Sequence, residues 1–322
     1  MKNNNRFLYY AIFSIVVFML LTASLFIVDR KPIEMANGSV SDRAGYKRAR
    51  AKLSGDSAKV KRVEKISGKS VKNARAKKKI EKKTPDSAKK LARISKPRGR
   101  LYFVIDDVGN STTNMDLFLK IKFPVTYSIL PQLPFTKECA RILRANNKEI
   151  MMHFPMEAIG GKDPGPGAIY LEMSEAEVRE TIEENLRDLP LIRMVNNHQG
   201  SLITADREKM TLILGIFKEK NIKFLDSLTT GKSVVGEVSK DLGLTYIKRN
   251  SIFLDNEKNK ESMLKAIESG FEVAAKNGYA VMIGHIWSSE LAEALNDIYP
   301  EMIEYGYLPE NLSELFKNEK ER

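Results

Sequence analysis

From residue 100 onward the chain predicts an α/β fold with a mostly parallel sheet or barrel. Two observations carry this reading. Short apolar runs rich in β-branched residues recur along the region, and each is followed by a stretch of helical length and pattern. Alternation of that kind places strands side by side in one direction, with helices covering them.

Taken in order, a strand is expected over 101–106 (Leu-Tyr-Phe-Val-Ile-Asp) and a helix over 114–121. A strand over 125–130 precedes a helix over 135–146. The apolar run 149–154 is the third strand. The helix over 175–189 opens at Ser174 with Glu177 three residues on, the spacing of a capping box. Strands at 191–195, 224–227 and 245–248 alternate with helices at 207–220, 235–242 and 260–276. Asn277-Gly278 is a helix stop before the strand 279–285, and a last helix covers 289–305. No internal repeat is present.

Composition narrows the class. The 322 residues hold 53 Lys+Arg against 41 Asp+Glu, with 43% hydrophobic residues, one cysteine and three histidines. That is enough apolar residue for a sizeable core. A lone Cys139 excludes a disulfide scaffold and a zinc-finger array; it is read as a core residue.

The charge is segregated. Residues 31–100 carry 24 Lys+Arg and 6 Asp+Glu, a net of +18, whereas 101–322 carry a net of −8. Three parts follow: a membrane anchor (1–30), a basic linker (31–98) and a folded domain (99–322). Residues 7–28 are 22 positions without a charge, long enough to cross a bilayer, which needs about 20. They read as an uncleaved transmembrane signal anchor, with a cleaved signal peptide as the alternative, although 21–24 is a weak cleavage site. The linker has almost no large apolar residues and should be disordered. It reads first as a solvated spacer and second as a site for anionic lipid or glycan. Tyr46 is the only aromatic residue among its lysines, so no specific nucleic-acid partner is expected.

The polar residues at strand ends carry the chemistry, because α/β folds gather function there. The first strand ends in Asp106-Asp107, two adjacent carboxylates that are costly to bury unless positive charge meets them. The third ends in His153, with Glu157 four residues later. His198 stands in a polar loop expected after the strand 191–195, and His285 ends the strand 279–285. All three histidines of the chain thus fall at strand ends. Asp226 and Arg249 end two more strands. Carboxylates with two or three imidazoles suit Zn²⁺ or another divalent metal, and metal-assisted hydrolysis. The segment 162–167, rich in Gly and Pro, is a loop that could cover the site, and Trp287 and Tyr170 either stack on a sugar or pack. Gly231-Lys232-Ser233 is no phosphate loop, since Asp226 stands where that motif needs glycine.

The motifs IDDVG (105–109), HFPME (153–157), NNHQGS (196–201), FLDS (224–227), RNSIFLD (249–255) and IGH (283–285), in that order, resemble the divergent polysaccharide deacetylases of the NodB-homology superfamily. The resemblance covers about 99–316. It implies a distorted (β/α) barrel of about seven strands and metal-dependent N-deacetylation of an acetylated cell-envelope polysaccharide. It implies Asp106 as the catalytic base, Asp107 and His153 as metal ligands, and His285 as the general acid. The superfamily's second metal-binding histidine is replaced by Glu157, so the third ligand is either His198, which is preferred, or Glu157. Asp226 lies where a residue tuning His285 is expected, and Arg249 is a candidate for holding Asp106. The superfamily's Arg-Pro-type motif is absent. These departures keep open a non-catalytic module that binds envelope glycan or protein on the same fold. The expected location is a single-pass membrane protein with its C-terminal domain outside the cytoplasm, periplasmic or extracellular. A positive-inside count opposes that orientation, but long domains translocate largely regardless of charge.

Overall fold

A computed structural model describes residues 97–320. The anchor and linker expected over 1–30 and 31–98, with their membrane and lipid contacts, lie outside these residues, apart from the linker's last two positions. Among the described residues no helix is long and apolar enough to cross a membrane.

Eight strands form one parallel sheet: β1 (Gly99–Val108), β2 (Thr126–Ile129), β3 (Glu149–Met156), β4 (Met194–Gln199), β5 (Lys223–Asp226), β6 (Ile247–Lys248), β7 (Tyr279–His285) and β8 (Tyr307–Pro309). Seven follow the order β6-β5-β4-β3-β2-β1-β7, which is a barrel nearly closed. β8 pairs with the first residues of β1, Gly99 through Leu101. Helices α1 (Met115–Leu119), α2 (Thr136–Ala145), α3 (Glu175–Asp188), α4 (Arg207–Glu219), α5 (Val235–Asp241), α6 (Lys260–Asn277) and α7 (Ser289–Glu304) connect the strands, and α8 (Leu312–Lys320) follows β8.

Local chemistry explains several boundaries. Ser174 caps α3, its hydroxyl accepting from the Glu177 N–H while the Glu177 carboxylate receives the Ser174 N–H. Gly278 ends α6 at φ 84°, a left-handed position that suits glycine.

Alternation along the strands sorts the core into two layers. Leu101, Phe103 and Ile105 of β1 join the outer cluster beneath the helices. Tyr102 and Val104 face the barrel interior with Met151, Met194, Leu225, Ile247, Val281 and Ile283. Leu312, Leu315 and Phe316 of α8 plug the end of that interior where the strands begin. Each such fully buried side chain contributes roughly 1.5–3 kcal/mol.

The barrel's seam lies between β6 and β7, which do not pair. The chain following β6 closes it. Asn250 accepts from the Val281 N–H at 2.7 Å, the Ser251 hydroxyl donates to the Val281 carbonyl at 2.9 Å, and the Leu254 N–H donates to the Ile283 carbonyl at 2.9 Å.

Two expectations need correction. The fourth strand runs Met194–Gln199 instead of 191–195. Leu191 adopts φ 70° and is exposed, so the chain is still turning there. The polar run Asn196-Asn197-His198-Gln199, expected as a loop, is the strand itself, because the interior at this end of the barrel is polar. β8 and α8 were not anticipated; three strand residues give too short a pattern to read.

Asn250→Ala would leave the buried Val281 N–H without its partner. We expect a loss of about 1–3 kcal/mol in urea unfolding; an unchanged midpoint would mean the seam is held otherwise.

Candidate metal centre

The two-residue alternation that buries Tyr102 and Val104 also carries Asp106 inside the barrel. On the same count His153 follows Met151, Asn196 and His198 follow Met194, Ser227 follows Leu225, and His285 follows Ile283. Regular alternation would send Asp107 outward. Instead the β1–β2 register slips between Ile105 and Val108, and Asp107 takes φ 62°. This bulge turns a second carboxylate to the same side, in a left-handed conformation that Asp tolerates better than most residues.

Three ligand-type atoms converge there. Asp107 Oδ1 lies 3.1 Å from His198 Nδ1 and 3.4 Å from His153 Nε2, and the two imidazole nitrogens are 3.1 Å apart. A tetrahedral metal with ligands at about 2.0–2.1 Å separates its ligand atoms by about 3.3 Å. Asp107 Oδ1 is buried and has no hydrogen-bond partner. An orphaned carboxylate oxygen facing two imidazoles fits a divalent cation of borderline softness. The other oxygen, Oδ2, accepts from Trp287 Nε1 at 3.1 Å.

Asp106 is almost fully buried beside this cluster, its Oδ2 3.6 Å from His153 Nε2. Asn196 Nδ2 donates to both its oxygens, at 3.0 and 3.1 Å. Burial pushes the Asp106 carboxyl up, and the positive character of His153 and His285 works against that rise. Asp107 moves the other way. Burial opposes its charge, but His153 and His198 hold it well below the usual carboxylate range.

His285 ends β7 in register with Asp106. Its Nδ1 bonds Asp255 Oδ1 at 2.9 Å, and its backbone N–H donates to Asp255 Oδ2 at 2.8 Å. The ring stacks on Phe253 and on Trp287. Burial opposes the charged imidazole, yet Asp255, with Asp106 and Asp107 beyond, raises its pKa to about 9.

Two sequence expectations change here, and of the two candidate third ligands His198, not Glu157, stands in the cluster. Asp226 does not reach His285. It shares the outer parity of Phe224, and its carboxylate accepts from Ser233, Tyr246 and the Leu228 N–H. Asp255 takes that place. Arg249 donates to the carbonyls of Ser227, Leu228 and Ser251, not to Asp106, which feels only its charge. Glu157 lies apart from the ligand cluster and accepts from the Leu171 N–H at 2.7 Å. The 162–167 loop is tied down, with Gly167 O accepting from Asn185 and Asp163 O from Gln199. Asn196 and Asp255 were not singled out from sequence, although both stand inside quoted motifs. Those motifs were the available signal, since 196–199 has no apolar period and Asp255 lies in a turn.

The model for divergent polysaccharide deacetylases matches residues 103–316. The chain belongs to that family. The proteins similar to it include an uncharacterized protein of Haemophilus influenzae, 30% identical over 188 residues, 58% of this chain and 67% of that protein. The uncharacterized protein YibQ of Escherichia coli K12 is 28% identical over 197 residues, 61% of each chain, so the match spans about three fifths of that relative's length. A crystal structure of an uncharacterized protein from Agrobacterium tumefaciens C58 superposes with a TM-score of 0.63 at 19% identity, covering 70% of this chain and 94% of that one. At that identity the likeness shows the fold.

Metal content by mass spectrometry tests the cluster. Asp107→Ala and His153→Ala should abolish bound metal in the full-length chain, and His198→Ala should lower it far more than Glu157→Ala. The reverse ranking would move the third ligand to Glu157.

Proposed function

We propose that this family member is a metal-dependent hydrolase that removes N-linked acetyl groups from a cell-envelope polysaccharide. The observation that carries the reading is the flanking of a three-ligand cluster by a buried carboxylate, Asp106, and an Asp-paired imidazole, His285, on neighbouring strands in register. Asp107, His153 and His198 would hold the metal, with Zn²⁺ the best match to two imidazoles and a carboxylate. When bound, the metal supplies polarisation of the acyl carbonyl and a lower pKa for the attacking water.

The remaining work falls to side chains. Asp106 takes the proton of the attacking water, held in aim by the Asn196 amide. Asp255 accepts the His285 Nδ1–H, which leaves Nε2 to carry the proton given to the departing nitrogen. Trp287 holds the outer oxygen of Asp107 and so leaves the inner one for the cation. A cleft of about 310 Å³ runs from Asp107 and His198 past Ile286 and Trp287 to Leu130 and Leu133, which is room for a glycan unit beside the reacting atoms. Half-exposed Trp287 offers an aromatic surface at its mouth.

The non-catalytic reading drew its support from the missing second-motif histidine. His198 supplies an imidazole at that cluster from the neighbouring strand, and Asp106 and His285 flank it, which supports the hydrolase reading. In the same proposal, residues 1–30 anchor the chain and 31–98 tether the 99–322 domain, with that domain on the envelope side of the membrane.

The test is acetate release from N-acetylated glycan oligomers by the full-length chain. Asp106→Asn should lower turnover by about 10²–10⁴-fold while metal stays bound; full activity would remove Asp106 as the base.

The pH profile gives a second check. His285 donates only when protonated, so activity should fall as pH rises through its pKa, about 9 before the cation's charge lowers it. Asp255→Asn removes the partner charge that raises this pKa. The high-pH limb should therefore move to lower pH; a limb that stays in place would assign it to another group.

A further inference from the structure

Asn196 is completely buried and makes a closed set of contacts. Its Nδ2 donates to Asp106 Oδ1 and Oδ2 and to Ser227 Oγ at 3.0 Å. Its Oδ1 accepts from Ser128 Oγ at 2.5 Å and lies 2.9 Å from His153 Nδ1. With Asp106 ionised, a reversed amide would set its oxygen against the carboxylate, acceptor against acceptor at about 3 Å, so the orientation with nitrogen toward Asp106 is the one in which every contact pairs. With the orientation set, the oxygen facing His153 demands a proton on Nδ1. The Nε2 lone pair is then free on the side where Asp107 and His198 converge.

We infer that Asn196 is a two-ended positioning residue, one amide that aims the base Asp106 and selects the His153 tautomer able to bind metal. The base half of this assignment rests on the hydrolase reading above; the metal half does not. The ionised carboxylate orients the amide, and the amide orients the imidazole, so base and metal ligand are set by one rigid group. His153 and Asp106 are therefore prepared together before any cation or substrate arrives. A metal-ligating histidine whose other nitrogen is so held loses about 10–100-fold in affinity or activity when the partner is removed.

Two substitutions separate the two ends. Asn196→Leu removes both. Asn196→Asp keeps an acceptor for His153 but sets a second carboxylate against Asp106. In the full-length chain, with folding checked by circular dichroism, zinc affinity is read by competition with a chelating dye. Coupling between ¹¹³Cd and imidazole ¹⁵N in the cadmium-loaded protein identifies the bound nitrogen. Asn196→Leu should weaken zinc binding by about 10–100-fold, whereas Asn196→Asp should keep wild-type affinity and cadmium coupling to His153 Nε2. Asn196→Asp should nonetheless lose most of its kcat at unchanged KM. Wild-type zinc affinity in Asn196→Leu, or equal loss in both variants, would overturn the tautomer assignment. Wild-type kcat in Asn196→Asp would overturn the link to the base. Should Asn196→Leu fail to fold, Asn196→Ala, which also removes both ends, takes its place in the zinc readout, with the same loss expected and wild-type affinity overturning the tautomer assignment. The metal readouts need no turnover, so a failure of the hydrolase reading shows separately as a wild-type chain that binds zinc and releases no acetate.

Discussion

A strand in a parallel barrel can send a side chain inward only at every second position, and the site obeys that rule with one exception. Tyr102, Val104 and Asp106 share a side, as do Met151 and His153, Met194, Asn196 and His198, and Val281, Ile283 and His285. The same register that packs the lower barrel with apolar groups therefore delivers carboxylate, amide and imidazole at its upper end. Asp107 is the exception, and the bulge at φ 62° is what brings it in. Without that local irregularity the pocket would hold Asp106 and the imidazoles but lack the second carboxylate. A left-handed non-glycine residue has an energetic cost, and such residues gather at functional sites for this reason.

The barrel's two ends follow opposite chemistries. α8 seals one with Leu312, Leu315 and Phe316, and its burial helps stabilise the whole. The other end holds buried polar groups that would be destabilising alone. They are tolerated because nearly every donor and acceptor is used: Ser128, Ser227 and Asn196 form a network around Asp106 and His153. Asp107 Oδ1 is a buried oxygen left unpaired at this end, and it faces the two histidines.

Closure of the seam and placement of the carboxylate that pairs with His285 are one event. Residues 249–254 stand in for a missing β6–β7 pairing, and the Leu254 N–H is bonded to β7. The next residue is Asp255, which is thereby set against the last residue of β7, His285, bonding both its backbone and its ring. The open joint in the barrel thus provides the position from which a carboxylate can reach a strand-end histidine. A β6 long enough to pair fully with β7 would occupy that space.

The alternating pattern by itself determined the α/β class, six of the strands, the presence but not the limits of the fourth, and most helix limits, because apolar periodicity and capping residues act over a few neighbouring positions. It also put Asp106, His153 and His285 at strand ends. Three matters were decided only by the tertiary structure. The choice of Asp255 over Asp226 depends on parity within β5 and on the seam, which brings together segments distant in sequence. The meeting of His198 with Asp107 and His153 depends on a polar strand paired beside β3, and polar Asn196–Gln199 has no apolar period to reveal it. The role of Asn196 depends on groups from β1, β2, β3 and the end of β5 meeting at one amide. Local sequence specifies which face a residue occupies; only the closed barrel specifies what stands opposite it.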